Sequence, residues 1–87
     1  MSNKARKLLE RAQSTTAGWS SSDLVQLYKS HGFEIREGKG HIIATHPDFK
    51  ELRATISRSS GELANGYIRT AVKLIEKLFE LQGGRDE

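Results

Sequence analysis

The residues best suited to chemistry in this sequence form the glycine-rich segment 36–41, which reads REGKGH. Its two glycines permit a tight hairpin turn and let an anion approach the backbone. Arg36 and Lys39 supply positive charge, and His41 carries the side chain that exchanges a proton most readily near neutral pH. The segment is therefore either a site that handles phosphate or an ordinary polar hairpin, and the elements around it must decide which.

The composition describes one small domain without cysteine. Its 87 residues allow one core of sheet and helices and no second domain. Without cysteine there is no disulfide and no thiolate zinc site, and with only three histidines, separated in sequence, we expect neither metal nor cofactor. No segment resembles a membrane span or a secretory signal, so we expect a cytoplasmic protein. The net charge of +3 weakly favours a polyanionic partner.

The hydrophobic pattern predicts two helices in the first third of the chain. Segment 3–13 is a short amphipathic helix, followed by a linker rich in serine and threonine. Ser20 is the predicted N-cap of a second helix, and Asp23 completes a capping box with it. Trp19 is placed to close a hydrophobic staple over the first turn. Gly32 is the predicted left-handed residue at the end of this helix.

A third helix with a 3.6-residue apolar stripe is predicted near the C-terminus. We take Asn65 as its N-cap, although segment 59–62 (SSGE) is an alternative start. On the polar side of this helix Arg69, Lys73 and Lys77 recur at every fourth position. Like charges at that spacing repel one another, so the ridge is either a solvated helix face or a contact for an anionic partner.

Three strands are predicted between the second and third helices, at 33–37, 41–46 and 52–57, from alternating apolar and polar residues. Their short connections predict an antiparallel meander. The predicted fold is α+β, a two-layer α-β-β-β-α arrangement with the helices on one face and an added N-terminal helix. The other face of the sheet and its rim must then carry Arg36, Lys39, Arg53 and Arg58.

These elements divide the chain into three predicted parts. Residues 1–18 form the added helix and linker, 19–82 form the domain, and 83–87 form a disordered tail. Within the domain, His46 lies an odd number of residues from His41, so we expect it on the opposite face of the sheet. We expect His46 to be structural or a turn partner, and His31, at the end of its helix, to be stabilised by the helix dipole or to have a packing role.

Four short motifs carry a family resemblance. They are segment 22–27 followed by His31-Gly32-Phe33, the turn Gly38-x-x-His41, the pair His46-Pro47, and the pattern Glu62-Leu63-x-x-Gly66-x-x-Arg69-x-x-x-Lys73. In order and spacing, across about 21–78, they resemble the HicA (YcfA-like) toxins of bacterial toxin–antitoxin pairs. That family has a fold like the double-stranded-RNA-binding domain. The added N-terminal helix lies outside the usual family core.

The resemblance implies a metal-independent endoribonuclease that cuts mRNA and is restrained by a HicB-like antitoxin protein. The family turn is typically Gly-Ser-x-His, so His41 corresponds to the catalytic histidine and Gly38 to the turn glycine. Lys39 stands where the family has serine. The residues then expected to contact RNA are Arg36, Gly38, Lys39, Gly40, Arg53, Arg58, Arg69 and Lys73.

The chemistry required of such an enzyme is limited, because RNA carries its own nucleophile, the 2′-hydroxyl. His41 can take the 2′-proton or, once protonated, protonate the leaving 5′-oxygen, while Arg36 and Lys39 stabilise the charge at phosphorus. The expected products are a 2′,3′-cyclic phosphate and a 5′-hydroxyl. Two other functions stay open: an RNA-binding module without catalysis, and a protein-interaction domain that uses the N-terminal helix.

Overall fold

The computed structural model describes residues 3–57 and 61–83. The α+β class and the order of elements are confirmed. In chain order the elements are α1 (Asn3–Ser14), α2 (Ser21–Ser30), β1 (Glu34–Glu37), β2 (His41–Thr45), β3 (Arg53–Ser57) and α3 (Asn65–Leu81). The three strands form one antiparallel sheet in the order β1-β2-β3, as a meander requires. The predictions for Arg58, for Ser59 and for segment 84–87 lie outside the described residues.

The register of the sheet separates two faces. Ile42 lies opposite Ile56, and Ala44 lies opposite Ala54. Directly paired residues project to the same face, and these four are buried, so they define the inner face. The outer face carries the alternate positions, with Arg36 opposite Ile43, Ile43 opposite Thr55, and His41 opposite Ser57.

The helices bury the inner face of the sheet. Helix α2 packs against β1, and α3 packs against β3. The added helix α1 packs against both α2 and α3 and buries Ala5 and Ala12 completely or nearly so. Ala12 belongs to the same core cluster as the sheet residues. The N-terminal helix therefore packs against the domain of its own chain.

Trp19 lies where α1, the linker and α2 meet. Its side chain is fully buried, and its Nε1 donates a hydrogen bond of 3.1 Å to the carbonyl of Thr15. The Arg11 guanidinium lies 4.2 Å from the centre of the indole ring, and it also donates to the carbonyl of Gly18 at 3.2 Å. The side chains of Arg11 and Trp19 thus hold the linker between α1 and α2.

Local hydrogen bonding sets both ends of α2. The predicted capping box is present: Ser20 Oγ accepts from the Asp23 N–H at 3.1 Å, and Asp23 Oδ2 accepts from the Ser20 N–H at 3.2 Å. At the other end the Gly32 N–H donates to Lys29 and the Phe33 N–H donates to Tyr28, each at 3.1 Å. This is a Schellman motif, and Gly32 has the left-handed φ of +90° that the motif needs.

The predicted start of α3 is wrong by one residue. The N-cap is Ala64, which makes no side-chain capping bond, and Asn65 is already the first helical residue. The reason is tertiary: Leu63 is buried, and its N–H donates a 2.7 Å hydrogen bond to the carbonyl of Trp19. The packing of Leu63 sets where the helix begins, and its contribution outweighs the preference for asparagine over alanine at the N-cap.

Replacing Gly32 with alanine is expected to destabilise the fold more than the same change at Gly18. Both glycines have positive φ, +90° and +79°, so alanine costs about 1–2 kcal/mol at either site from backbone strain alone. At Gly32 the added Cβ would also lie 3.2 Å from His46 Nε2, whereas at Gly18 nothing lies within 4 Å. Urea unfolding of the two variants measures this difference, and equal losses would show that the His46 ring yields without cost.

Candidate nucleic-acid interface

His41 is the first residue of β2 and is exposed on the outer face of the sheet. Its Nδ1 lies 3.1 Å from the carbonyl oxygen of Lys39. A carbonyl oxygen only accepts hydrogen bonds, so Nδ1 carries the proton in this contact. The neutral ring then presents Nε2 as a bare acceptor, which is the protonation state that a general base needs.

The glycine turn holds His41 by closing the hairpin tightly. The Gly38 N–H donates a 2.9 Å hydrogen bond to the carbonyl of His41, and Gly40 takes a left-handed φ of +71°. Gly38, Lys39 and Gly40 are all exposed. Because the Gly38 N–H is used within the hairpin, it is not free to bind phosphate, and Lys39 remains the charged group of the turn.

Two hydroxyl groups lie beside His41 that the sequence analysis missed as site residues. Ser57 is directly opposite His41 in the β2–β3 register, a position whose Cβ atoms are typically about 5 Å apart. Its Oγ is 2.7 Å from the Tyr67 hydroxyl on α3. The strand register would have indicated Ser57, but nothing in the sequence indicates Tyr67, because its contact depends on how α3 packs.

A cleft of about 800 Å³ lies along β1 and the connection between β2 and β3. We call it the basic cleft. The residues that line it include Lys29, Glu34, Arg36, Ile43, Lys50 and Arg53. Four cations and one carboxylate give it a formal charge of +3, equal to the net charge of the whole chain. The charged residues outside this lining therefore sum to a formal charge of zero.

None of the four cations of the basic cleft forms an ion pair with another of the residues that the structure describes. Within residues 3–57 and 61–83, the ion pairs are Arg11 with Asp23 at 3.8 Å and Lys77 with Glu80 at 4.0 Å, both on exposed surfaces away from the cleft lining. Unpaired cations around one concave surface repel one another and attract an anionic ligand. This arrangement is typical of a surface that binds a polyanion.

The structure brings together some of the predicted RNA contacts and separates others. Arg36 and Arg53 both lie on the outer face and line the basic cleft. Arg69 and Lys73 are exposed on α3. They project on the side of α3 away from its buried residues Ile68, Ala71, Ile75 and Leu78, and so away from the sheet that the helix covers. One ligand on the outer face does not reach them directly.

The other two histidines have packing roles, as predicted. His46 is 4 % exposed, its Nδ1 accepts from the Asp48 N–H at 3.1 Å, and its ring meets Phe33 edge-on. His31 is 7 % exposed, and its Nδ1 lies 3.0 Å from the Leu27 carbonyl. His41 is consequently the exposed histidine among the described residues.

No protein-family model, curated protein or solved structure matches this chain. Among residues 3–57 and 61–83 there is no cluster of three or more histidine, aspartate or glutamate side chains able to hold a metal ion. In the same part of the chain, none of the helices is long and apolar enough to cross a membrane.

Proposed function

We propose that this chain binds single-stranded RNA across the outer face of its sheet and cleaves it without a metal, with His41 as the general base. The observation that carries the proposal is the orientation of the His41 ring. Its Nδ1 is committed to the Lys39 carbonyl, which leaves Nε2 as the exposed basic atom on the face that also carries the unpaired cations. A histidine oriented in this way is what transesterification of RNA requires.

The reaction would proceed as follows. His41 Nε2 takes the proton of the ribose 2′-hydroxyl, whose oxygen attacks the adjacent phosphorus and displaces the 5′-oxygen of the next nucleotide. Lys39 stabilises the charge that develops on the phosphate, and the paired hydroxyls of Ser57 and Tyr67 offer further hydrogen bonds there. The 5′-oxygen leaves with a proton from water, and His41 returns the 2′-proton to the solvent, so the products are a 2′,3′-cyclic phosphate and a 5′-hydroxyl.

The biological setting that we propose is a type II toxin–antitoxin pair, with this chain as a cytoplasmic toxin that cuts mRNA. This part of the proposal rests on the order and spacing of the HicA-like motifs in the sequence. A HicB-like antitoxin would inhibit the toxin most simply by covering His41 and placing acidic residues over the basic cleft. Such a contact would pair the cations that the described residues leave without partners.

A second function, an RNA-binding module without catalysis, is favoured by one specific observation. His41 is at the start of β2, whereas the residues of this strand that line the basic cleft are Ile43 and Thr45. They lie about 7 and 13 Å along the strand from His41. The strongest positive charge is therefore not at the histidine, as it would be if the cations served only the reacting phosphate.

Incubation of the purified chain with single-stranded RNA in EDTA distinguishes the two functions. The nuclease is expected to generate fragments with 2′,3′-cyclic phosphate and 5′-hydroxyl ends, detected by mass spectrometry. Binding without new ends would support the module instead. Cleavage that requires added Mg²⁺ or leaves 5′-phosphates would contradict the mechanism, because the 2′-hydroxyl would then not be the nucleophile.

Removing the two arginines of the outer face should weaken RNA binding and its salt dependence. For the Arg36→Gln/Arg53→Gln variant we expect the slope of log K against log salt to fall by about 1.4, since each phosphate contact on a single strand contributes about 0.7. Arg69→Gln/Lys73→Gln on α3 removes the same charge and is the matched control. An equal loss in this control would mean that RNA also reaches α3, as the sequence predicts.

A further inference from the structure

Two lysines that the sequence analysis did not assign complete the basic cleft. Lys29 is in the last turn of α2, and Lys50 is in the connection between β2 and β3. They are 21 positions apart in the chain, and packing of α2 against β1 places Lys29 on the cleft that Lys50, Arg36 and Arg53 also line. Both side chains are exposed, and among the described residues neither forms an ion pair.

The chemistry of the cleft suits a nucleotide chain better than a single small anion. Its cations come from four separate elements or connections around about 800 Å³, so they can meet several phosphates at once. Ile43 also lines the cleft, is half-buried and presents apolar surface that a ribose or base can cover. The carboxylate of Glu34 in the same lining offers an acceptor for a ribose hydroxyl.

The position of the cleft relative to His41 sets a length for the bound strand. The near edge of the cleft, at Ile43, lies about 7 Å along β2 from His41, and its far end, at Thr45, lies about 13 Å away. A strand that stacks at 3.4 Å per nucleotide spans these distances with about two and about four nucleotides. A substrate that fills the basic cleft therefore reaches beyond the nucleotides that flank the cleaved bond. Binding energy from the part of the RNA in the cleft then contributes to positioning the reacting phosphate at His41.

We propose that Lys29 and Lys50, with Arg36 and Arg53, form a phosphate-binding subsite that holds the RNA backbone about two to four nucleotides from the bond cleaved at His41. This proposal rests on the proposed function and adds to it a minimum substrate length. The subsite binds backbone phosphates of a single strand, without selecting bases. Cleavage then depends on how far the RNA extends from the reacting phosphate.

The test uses the full chain with Lys29→Gln/Lys50→Gln, and Arg6→Gln/Lys7→Gln on the exposed side of α1 as the control with equal charge loss. Binding of a twelve-residue oligouridylate is measured against salt concentration in a His41→Ala background, so that the RNA stays intact. We expect the cleft variant to lose about 1.4 in the slope of log K against log salt, and the control to keep the parent slope.

Cleavage measures the predicted length dependence. The parent should cut the twelve-residue oligouridylate about tenfold faster than the dinucleotide UpU, because UpU has no phosphate other than the one that reacts. In the Lys29→Gln/Lys50→Gln variant this preference should largely disappear, whereas the α1 control should keep it. Loss of the preference only in the cleft variant supports the subsite.

Three results would overturn the subsite, and they differ in what they leave standing. Unchanged slope and length preference in the cleft variant, with RNA still bound and cut, removes the subsite and keeps the proposed function. A parent chain that neither binds nor cuts RNA removes both. Binding of a twelve-residue oligoglutamate through Lys29 and Lys50, with oligouridylate unaffected by their loss, assigns the cleft to an acidic protein segment.

Discussion

Replacement of His41 by alanine is expected to slow RNA cleavage by about 10²- to 10⁴-fold, the usual contribution of a single general acid or base. The structure gives the reason: Nδ1 lies 3.1 Å from the Lys39 carbonyl oxygen, and the His41 side chain is exposed on the outer face of the sheet. Alanine removes the base and leaves the arginines and lysines of the outer face in place. RNA binding and its salt dependence should therefore change little, while the rate of cleavage falls.

His41→Gln is the matched control for this experiment. Glutamine can still donate a hydrogen bond to the Lys39 carbonyl, but it cannot accept a proton at neutral pH. It should preserve the hairpin and be as inactive as alanine. Because His41 is exposed at the start of β2, neither change should lower the urea midpoint by much. Full activity in either variant would leave the RNA-binding module as the better account.

Replacement of Trp19 by alanine is expected to remove a large part of the stability of the fold. Truncation of a fully buried tryptophan typically costs about 3–5 kcal/mol. At about 0.05–0.15 kcal/mol per residue, a domain of this length has about 4–13 kcal/mol in total. The change also removes the partner of the Arg11 guanidinium and the hydrogen bond to Thr15 that hold the linker. We expect α1 to detach first.

Trp19→Phe separates packing from these specific contacts. Phenylalanine keeps a buried ring but has no N–H for the Thr15 carbonyl, so a loss of about 1–2 kcal/mol is expected, from one hydrogen bond and a smaller side chain. Trp19 is the only tryptophan, so its replacement removes the tryptophan fluorescence signal. Unfolding of the variants in urea is therefore followed by circular dichroism. A Trp19→Ala variant that unfolds at the urea concentration of the parent would show that α1 and its linker contribute little to the domain.

The local features of the fold follow from the sequence because they depend on neighbours a few residues away. The capping box of Ser20 and Asp23 needs side chains three positions apart, and it forms as predicted. The alternation of apolar and polar residues in the strands sets which side chains face outward. It correctly places His41 on the exposed face and His46 in the interior.

The start of α3 shows where local preference loses to packing. Asn65 is the better capping residue by type, but the buried Leu63 and its hydrogen bond to Trp19 place the cap at Ala64. That contact joins positions 44 apart in the chain, so no window of sequence around the helix reveals it. The hydrogen bond between Ser57 and Tyr67 depends on how α3 packs, so the sequence around either residue does not reveal it.

The sequence by itself determined the elements, the faces of the sheet and the exposure of His41, because hydrophobic periodicity and capping are local. Tertiary structure alone decided which charges share a surface. It gathered Lys29 and Lys50 with Arg36 and Arg53 around one cleft. It left Arg69 and Lys73 on the far side of α3. The sequence pattern does not indicate which residues lie next to a surface cation, because its neighbours are set by how the helices pack on the sheet.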